Sequence, residues 1–318
     1  MQPGLVTTII PVFNRAGMLR EAVASVLSQT YRPIEIIVVD DGSTDDTSSV
    51  ADALARQHDE LTVIHQENTG VGLARESGRL AARGEFIQHL DSDDLLYPRK
   101  FEVQVAGLRA HPECGASYGW TRGRMSDGTL RERPEGRTGE LIETMFPAML
   151  QSRWWHTMTP LYRARLIHEA GSWLPLKNEE DWEYDARIAR AGVRLHACAE
   201  WVAEVRHHHD SRLSENGLAP EILRDRAFAH ALILSHAEDA GIDARAPEMQ
   251  HFARELFLLS RQCGAAGLVT ASMMLFGLAR RASGPLAGRA QFRVYSAATR
   301  LLGWTLAGKV SGLWDRLR

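Results

Sequence analysis

An alternation constrains this chain more than any other feature. Over residues 5–90, short β-branched and apolar runs exchange with segments whose apolar residues recur at helical spacing. Leu5–Pro11 (LVTTIIP) and Ile34–Val39 (IEIIVV) read as buried strands, and between them Leu19, Ala22, Val23, Val26 and Leu27 share one helical face. Leu61–His65 and Glu85–Leu90 read as a third and a fourth strand, with a helix at Gly70–Arg83 between them. Another helix is expected after the second strand, capped by Ser43 or Thr44. Strands alternating with helices imply right-handed crossovers and a mostly parallel sheet, the α/β class. Such sheets bind ligands beyond the carboxyl ends of their strands. The polar residues of this half of the chain sit at those ends.

Three acidic clusters follow from that placement. Asp40-Asp41 closes the second strand, Asp91-Ser92-Asp93-Asp94 follows the fourth, and Glu179-Glu180-Asp181 opens a helix expected over 181–191. Carboxylates this close repel one another unless a cation or hydrogen-bond donors offset the charge. An Asp-x-Asp turn offers hard oxygens to Mg²⁺ or Mn²⁺. A single cluster would be read as a helix cap, but three on a parallel α/β pattern point to a site. A net charge of −3 argues against a nucleic-acid binder. Cys114, Cys198 and Cys263 are too far apart for a zinc pattern, which suggests a reducing compartment. With neither a signal-peptide pattern nor about 18 uninterrupted apolar residues, the expectation is a soluble cytoplasmic protein.

Later segments are less regular. A helix is expected at Arg99–Pro112 and an irregular Gly- and Arg-rich stretch at Ser117–Gly139. Trp154–Tyr162 and Val193–Val205 read as strand or loop, and beyond Pro220 the pattern is helical, with breaks near 241–247 and 283–288. The expected domains are therefore residues 1–215 and a helical extension, 216–318. From Leu256 onward nine basic residues face one acidic residue, Asp315. Residues 268–281 and 292–317 mix arginine with Leu, Phe, Trp and Met. That composition suits a peripheral helix on an anionic membrane, a cap packed on the first domain, or a dimer surface.

The run TTIIPVFNRAGMLREAVASVLSQTYRPIEIIVVDDGSTDDT (7–47) resembles the opening of family 2 glycosyltransferases, and the likeness continues through ENTGVGLARESGRLAARGEFIQHLDSDDLLYPRK (67–100). It returns in GSWLP and EEDWEYDARIARAG (within 171–192) and in VRHHHDSRLS (205–214), covering most of residues 5–215. The resemblance implies a GT-A, Rossmann-like domain. It also implies inverting transfer of a sugar from a nucleotide diphosphate, UDP favoured, to a glycan or lipid-linked acceptor, as in surface-polysaccharide synthesis. By the same resemblance, Asp41 would hydrogen-bond the nucleobase, Pro11 and Asn14 would line the nucleoside pocket, and Arg75 would lie near the base or diphosphate. A solvated helix arginine is the alternative for Arg75. Asp93 would ligate a divalent metal (Mn²⁺ or Mg²⁺), with Asp91 toward ribose or a metal-bound water, Ser92 in the donor pocket and Asp94 as a cap. His208 would reach the metal or diphosphate. Asp181 would be the general base, with Glu180 the next candidate. Trp182 would stack on a sugar or simply be core, and Trp154, Trp155 and His156 would shape the acceptor pocket. Such an enzyme would work in the cytoplasm or on the inner face of the membrane. The competing readings are a nucleotidyltransferase, which PVFNRAG serves poorly as a phosphate loop, and a non-catalytic nucleotide-sugar-binding module.

Overall fold

Residues 1–207, 217–286, 288 and 290–316 are described by the computed structural model. Eight strands make one sheet: β1 (Gln2–Val12), β2 (Ile34–Asp40), β3 (Leu61–His65), β4 (Gly84–His89), β5 (Leu95–Leu96), β6 (Cys114–Arg124), β7 (Leu161–Arg163) and β8 (Arg194–Arg206). Their order is β3-β2-β1-β4-β7-β6-β8-β5. The first four are parallel, β7 is antiparallel to both β4 and β6, β6 and β8 are parallel, and β5 pairs antiparallel with β8.

The period of two along β2 sorts its side chains between the faces. Ile34, Ile36 and Val38 join the core built with α1 (Ala16–Leu27), α2 (Thr47–Gln57) and α4 (Lys100–Ala110), while Ile37 and Val39 meet Ala74 of α3 (Val71–Ala81). Gly78 lets α3 lie close to the sheet, since a Cβ there would stand 2.4 Å from Ile9 Cγ2 and 3.3 Å from Val39 Cγ2. A short helix, α5 (Ala164–Ala170), follows β7.

Two expectations are corrected here. The stretch beginning at Ser117 is not irregular throughout, because Cys114–Arg124 is an eleven-residue strand. Its glycines are places of close approach: a Cβ would meet Leu166 at Gly115 (2.4 Å), Cys198 at Gly119 (2.7 Å) and Glu135 at Gly123 (2.1 Å). Nor do Ser43 and Thr44 cap α2, which starts at Thr47 after Asp46. Ser43 Oγ instead accepts the Asn14 N–H (3.0 Å), Thr44 N–H donates to Asn14 Oδ1 (2.7 Å), and Asp45 Oδ1 accepts the Thr47 N–H (2.9 Å).

The chain divides into two units, Met1–Met145 with Trp154–Pro175 and Val193–Asp210, and Phe146–Arg153 with Leu176–Gly192 and Ser211–Arg318. This differs from a single cut at residue 215, because two earlier segments go with the helical unit. Side chains tie them there: Trp182 Nε1 donates to the Met149 carbonyl (3.0 Å), and Arg226 Nε donates to Glu179 (2.8 Å). That unit contains α6 (Glu180–Ala189), α7 (Pro220–Asp239), α8 (Pro247–Ala265), α9 (Val269–Ala282) and α10 (Ala290–Arg316). Proline opens α7 and α8, where its missing N–H costs nothing. Phe257, Phe276, Phe292 and Tyr295 fill the centre with ring centroids 5.0–5.9 Å apart. Among the described residues no helix is long and apolar enough to cross a membrane.

Candidate functional site

Strand register brings one set of candidate residues together within the α/β unit. Val12 lies opposite Asp40, Asp40 opposite His65, and Ile9 opposite His89. Being parallel, β1 to β4 therefore deliver the segments after Val12, Asp40, His65 and His89 to one edge. Asn14 and Arg15, Asp41, Thr69-Gly70 and Asp91-Ser92-Asp93 meet there.

Asp41 is buried and its carboxylate is held firmly. Oδ1 accepts from Thr69 N (2.9 Å) and Gln66 Nε2 (2.8 Å), and Oδ2 accepts from Gly70 N (2.8 Å). This fixes the carboxylate at the mouth of α3 and leaves lone pairs for one further donor. Asn14 adopts a left-handed backbone (φ 51°), and its amide bridges to Thr44 and Asp45. Pro11 is buried within β1 opposite Val39.

Each member of the Asp-x-Asp pair faces an arginine. Arg75 NH2 donates to Asp91 Oδ1 at 2.7 Å, and its guanidinium lies 4.9 Å from the centre of the Trp173 ring. Arg75 is thus a buried, paired cation and not a solvated one. Arg15 pairs with Asp93 Oδ2, and Arg206 Nε donates to the Asp93 carbonyl. Ser92 is buried between them. Asp94 accepts the Arg206 N–H (3.0 Å); burial, reinforced by the charges of Asp93 and Asp91, pushes its carboxyl well above the usual aspartate range. Arg15, Arg206 and Trp173 lie within the runs that carry the family resemblance, which assigns none of them a role.

The donor set made by Asp91 and Asp93 is two hard carboxylates. Mg²⁺ and Mn²⁺ are commonly held by one or two such groups with phosphate oxygens and water, so the residues fit a divalent cation. Among the described residues no three His, Cys, Asp or Glu side chains gather into a closed set. His208, expected near the metal, lies outside the described residues. Its neighbour His207 has Nε2 3.3 Å from Glu135 Oε1.

The candidate bases, Glu180 and Asp181, belong to the helical unit. Glu179, left-handed at φ 61°, bonds Arg226 (2.8 Å) and His230 (2.8 Å) of α7. Burial would raise its carboxyl, but His230 and Arg226 outweigh burial and hold it below the ordinary glutamate value. Glu180 is buried, at 7% exposure, whereas the Asp181 side chain keeps 27%. Of the two candidate bases, Asp181 is the more exposed. Arg153 orients it, donating from NH1 to Asp181 Oδ2 (2.7 Å) and from Nε to buried Asp185 Oδ2 (2.8 Å). Trp182 is packed, its ring 5.2 Å from His230 and edge-on.

Trp154 and Trp155 were expected at the acceptor pocket, and that expectation fails. Both are buried, with ring centroids 4.6 Å apart, and Trp155 leans on Tyr118. They are core side chains of the α/β unit, and His156 beside them is half-buried.

The model of glycosyl transferase family 2 matches residues 7–169, just over half the chain. GlyG of Streptococcus pneumoniae, a glycosyltransferase, is 41% identical over 130 residues, 40% of this chain and 42% of GlyG. The match spans less than half the length of the curated relatives that share more than 40% identity. Among solved structures, S. aureus TarS 1–349 in complex with UDP-GlcNAc superposes with a TM-score of 0.75 at 19% identity, over 98% of this chain and 92% of that one. The mannosyltransferase PcManGT from Pyrobaculum calidifontis, in complex with GDP-Man and Mn²⁺, gives 0.52 at 19%, over 98% and 87%. These likenesses establish the GT-A fold.

Proposed function

The chain belongs to glycosyl transferase family 2, and on that premise we propose that it is an inverting glycosyltransferase moving a sugar from a nucleotide diphosphate, preferably UDP, to a hydroxyl of a glycan or lipid-linked acceptor. The observation that carries this reading is the convergence of Asp41, Arg75, Asp91 and Asp93 at one sheet edge, each carboxylate held by a named donor. Neighbours of the same fold that hold UDP-GlcNAc, or GDP-Man with Mn²⁺, support a nucleotide-sugar donor and a divalent cation.

Asp41 accepts a base N–H with its remaining lone pairs. Arg75 holds Asp91 in place, and Ser92 with the Asn14 loop bounds the nucleoside. Asp91 and Asp93 would hold a Mg²⁺ or Mn²⁺ ion, which when bound offsets charge on the departing diphosphate. Asp181 takes the proton of the acceptor hydroxyl as that oxygen bonds to the anomeric carbon from the face opposite the leaving group. Arg153 fixes the carboxylate for that transfer. An enzyme doing such work would act in the cytoplasm or at the inner face of the membrane.

A thermal-shift screen against UDP-, GDP-, dTDP- and CMP-sugars with Mn²⁺, Mg²⁺ or EDTA tests the reading. At a hundredfold excess over Kd a ligand of the folded state adds about 2.7 kcal/mol, a rise of roughly 5–10 °C in a domain of this size. A metal-dependent rise with one nucleotide supports it, and no rise with any donor overturns it.

A further inference from the structure

Between Glu255 and Asp315 the sequence has no acidic residue and seven basic ones. The structure shows how two helices of this segment use their faces. In α10, Phe292, Tyr295 and Thr299 turn inward, while Val294 (68% exposed) and Leu301 (84% exposed) turn outward beside exposed Arg293 and Arg300. After the break at Gly303, Ala307 and Gly308 are buried, and Leu306 and Val310 are exposed on either side of Lys309. In α9, Leu275, Phe276 and Ala279 face inward, whereas Met273 and Met274 are exposed, about two turns before Arg280. More than half of the large apolar side chains that the described residues expose lie between Val269 and Val310. Arg281 pairs with Glu238, but among the described residues Arg280, Arg293, Arg300 and Lys309 have no acidic partner.

We propose that the outward side chains of α9 and α10 form a docking surface for an anionic lipid bilayer. Apolar side chains flanked by cations suit the interface, where hydrocarbon takes up the former and phosphate headgroups the latter. A second copy of the chain fits less well, since a two-fold contact would set this patch against itself and bring arginine to arginine. A nucleic acid would neutralise the cations but leave Val294 and Leu301 in water. The surface stands apart from the donor-binding reading and is tested without turnover.

The full chain is sedimented with vesicles of phosphatidylcholine alone, or with about one third phosphatidylglycerol. Binding is expected to the anionic vesicles and to fall as salt is raised. Replacing Arg293 and Arg300 with glutamine should lower the partition coefficient roughly fivefold for each residue, about thirtyfold together. Leu301→Ser should lower it about tenfold. These side chains are exposed, so the variants should melt with the wild type, which circular dichroism checks. Equal binding to neutral and anionic vesicles, or none to either, overturns the proposal. So does a dimer, seen by analytical ultracentrifugation, that Leu301→Ser dissolves while vesicles bind nothing.

Discussion

Lys100 offers the sharpest quantitative test of the α/β unit. It opens α4 with 0% exposure, its Nζ donates to the Thr159 carbonyl at 2.8 Å, and among the described residues it makes no ion pair. Burial lowers its ammonium to about 7, with only a small opposing pull from Cys198. In the unfolded chain the value is about 10.4, so between those limits the unfolded state binds a proton the folded state has released. Stability contributed by this group therefore rises with pH through the window, and below it the penalty of burying the charge is constant. At about 1.36 kcal/mol per pH unit, weighted by the folded group's titration, the rise from about pH 6 to about pH 9 is roughly 2.6 kcal/mol. Lys100→Met keeps an unbranched side chain, one atom shorter, and removes the titration. Thr159 O still accepts from Gln104 Nε2 (3.1 Å), so no acceptor is orphaned. Urea unfolding followed by tryptophan fluorescence at the two pH values should show the advantage of the variant over wild type growing by that amount toward acid. All other titrations are common to both proteins and cancel. Parallel pH dependence in wild type and variant would refute the burial argument.

Other predictions address the site and the packing. Asp181→Asn should lower kcat by about 10²–10⁴ while leaving the donor's thermal shift in place; full transfer would displace the base assignment. Arg153→Met should lower kcat too, and Arg153→Lys should recover part of it, since Lys keeps the charge but not the two-pronged grip on Asp181 and Asp185. No loss in Arg153→Met would show that Asp181 does not need its clamp. Arg15→Ala should tighten Mn²⁺ binding, measured calorimetrically with UDP present, because the guanidinium competes with the cation for Asp93; weaker binding would contradict the competition. Gly78→Ala should cost about 1–3 kcal/mol in urea unfolding by driving a methyl group into Ile9, and an unchanged midpoint would mean that α3 can move off the sheet.

What could be read from the chain, and what could not, divides by range. The first four strands and their helices fall within a few residues of expectation because each carries its own period, 2 or 3.6, in a span of about ten residues. β6 escaped because its glycines answer to Leu166, Cys198 and Glu135, residues that no local pattern connects to them. The expected cap of α2 failed for the same reason: Ser43 and Thr44 serve Asn14, some thirty positions earlier. Trp154 and Trp155 were misassigned because an aromatic pair in an irregular stretch looks the same whether it faces a ligand or the core.

The acidic clusters show the division most clearly. That Asp91 and Asp93 stand one residue apart is a local fact, and it poses an electrostatic problem visible in the sequence. Its resolution is not local, since Arg75 comes from α3, Arg15 from the turn after β1 and Arg206 from the end of β8. The same holds for Asp181, whose clamp Arg153 lies 28 positions upstream. Arginine is common on helix surfaces and in loops, so nothing in the neighbours of Arg15, Arg75 and Arg153, which each hold a carboxylate of these clusters, distinguishes them from solvated arginines. Within the α/β unit the sheet register brings the ends of β1 and β4 together, and with them Arg15 and Asp93. A carboxylate cluster can therefore be recognised as a site from sequence, while its counter-charges, and with them the competition a metal ion must win at Asp93, emerge only from the fold.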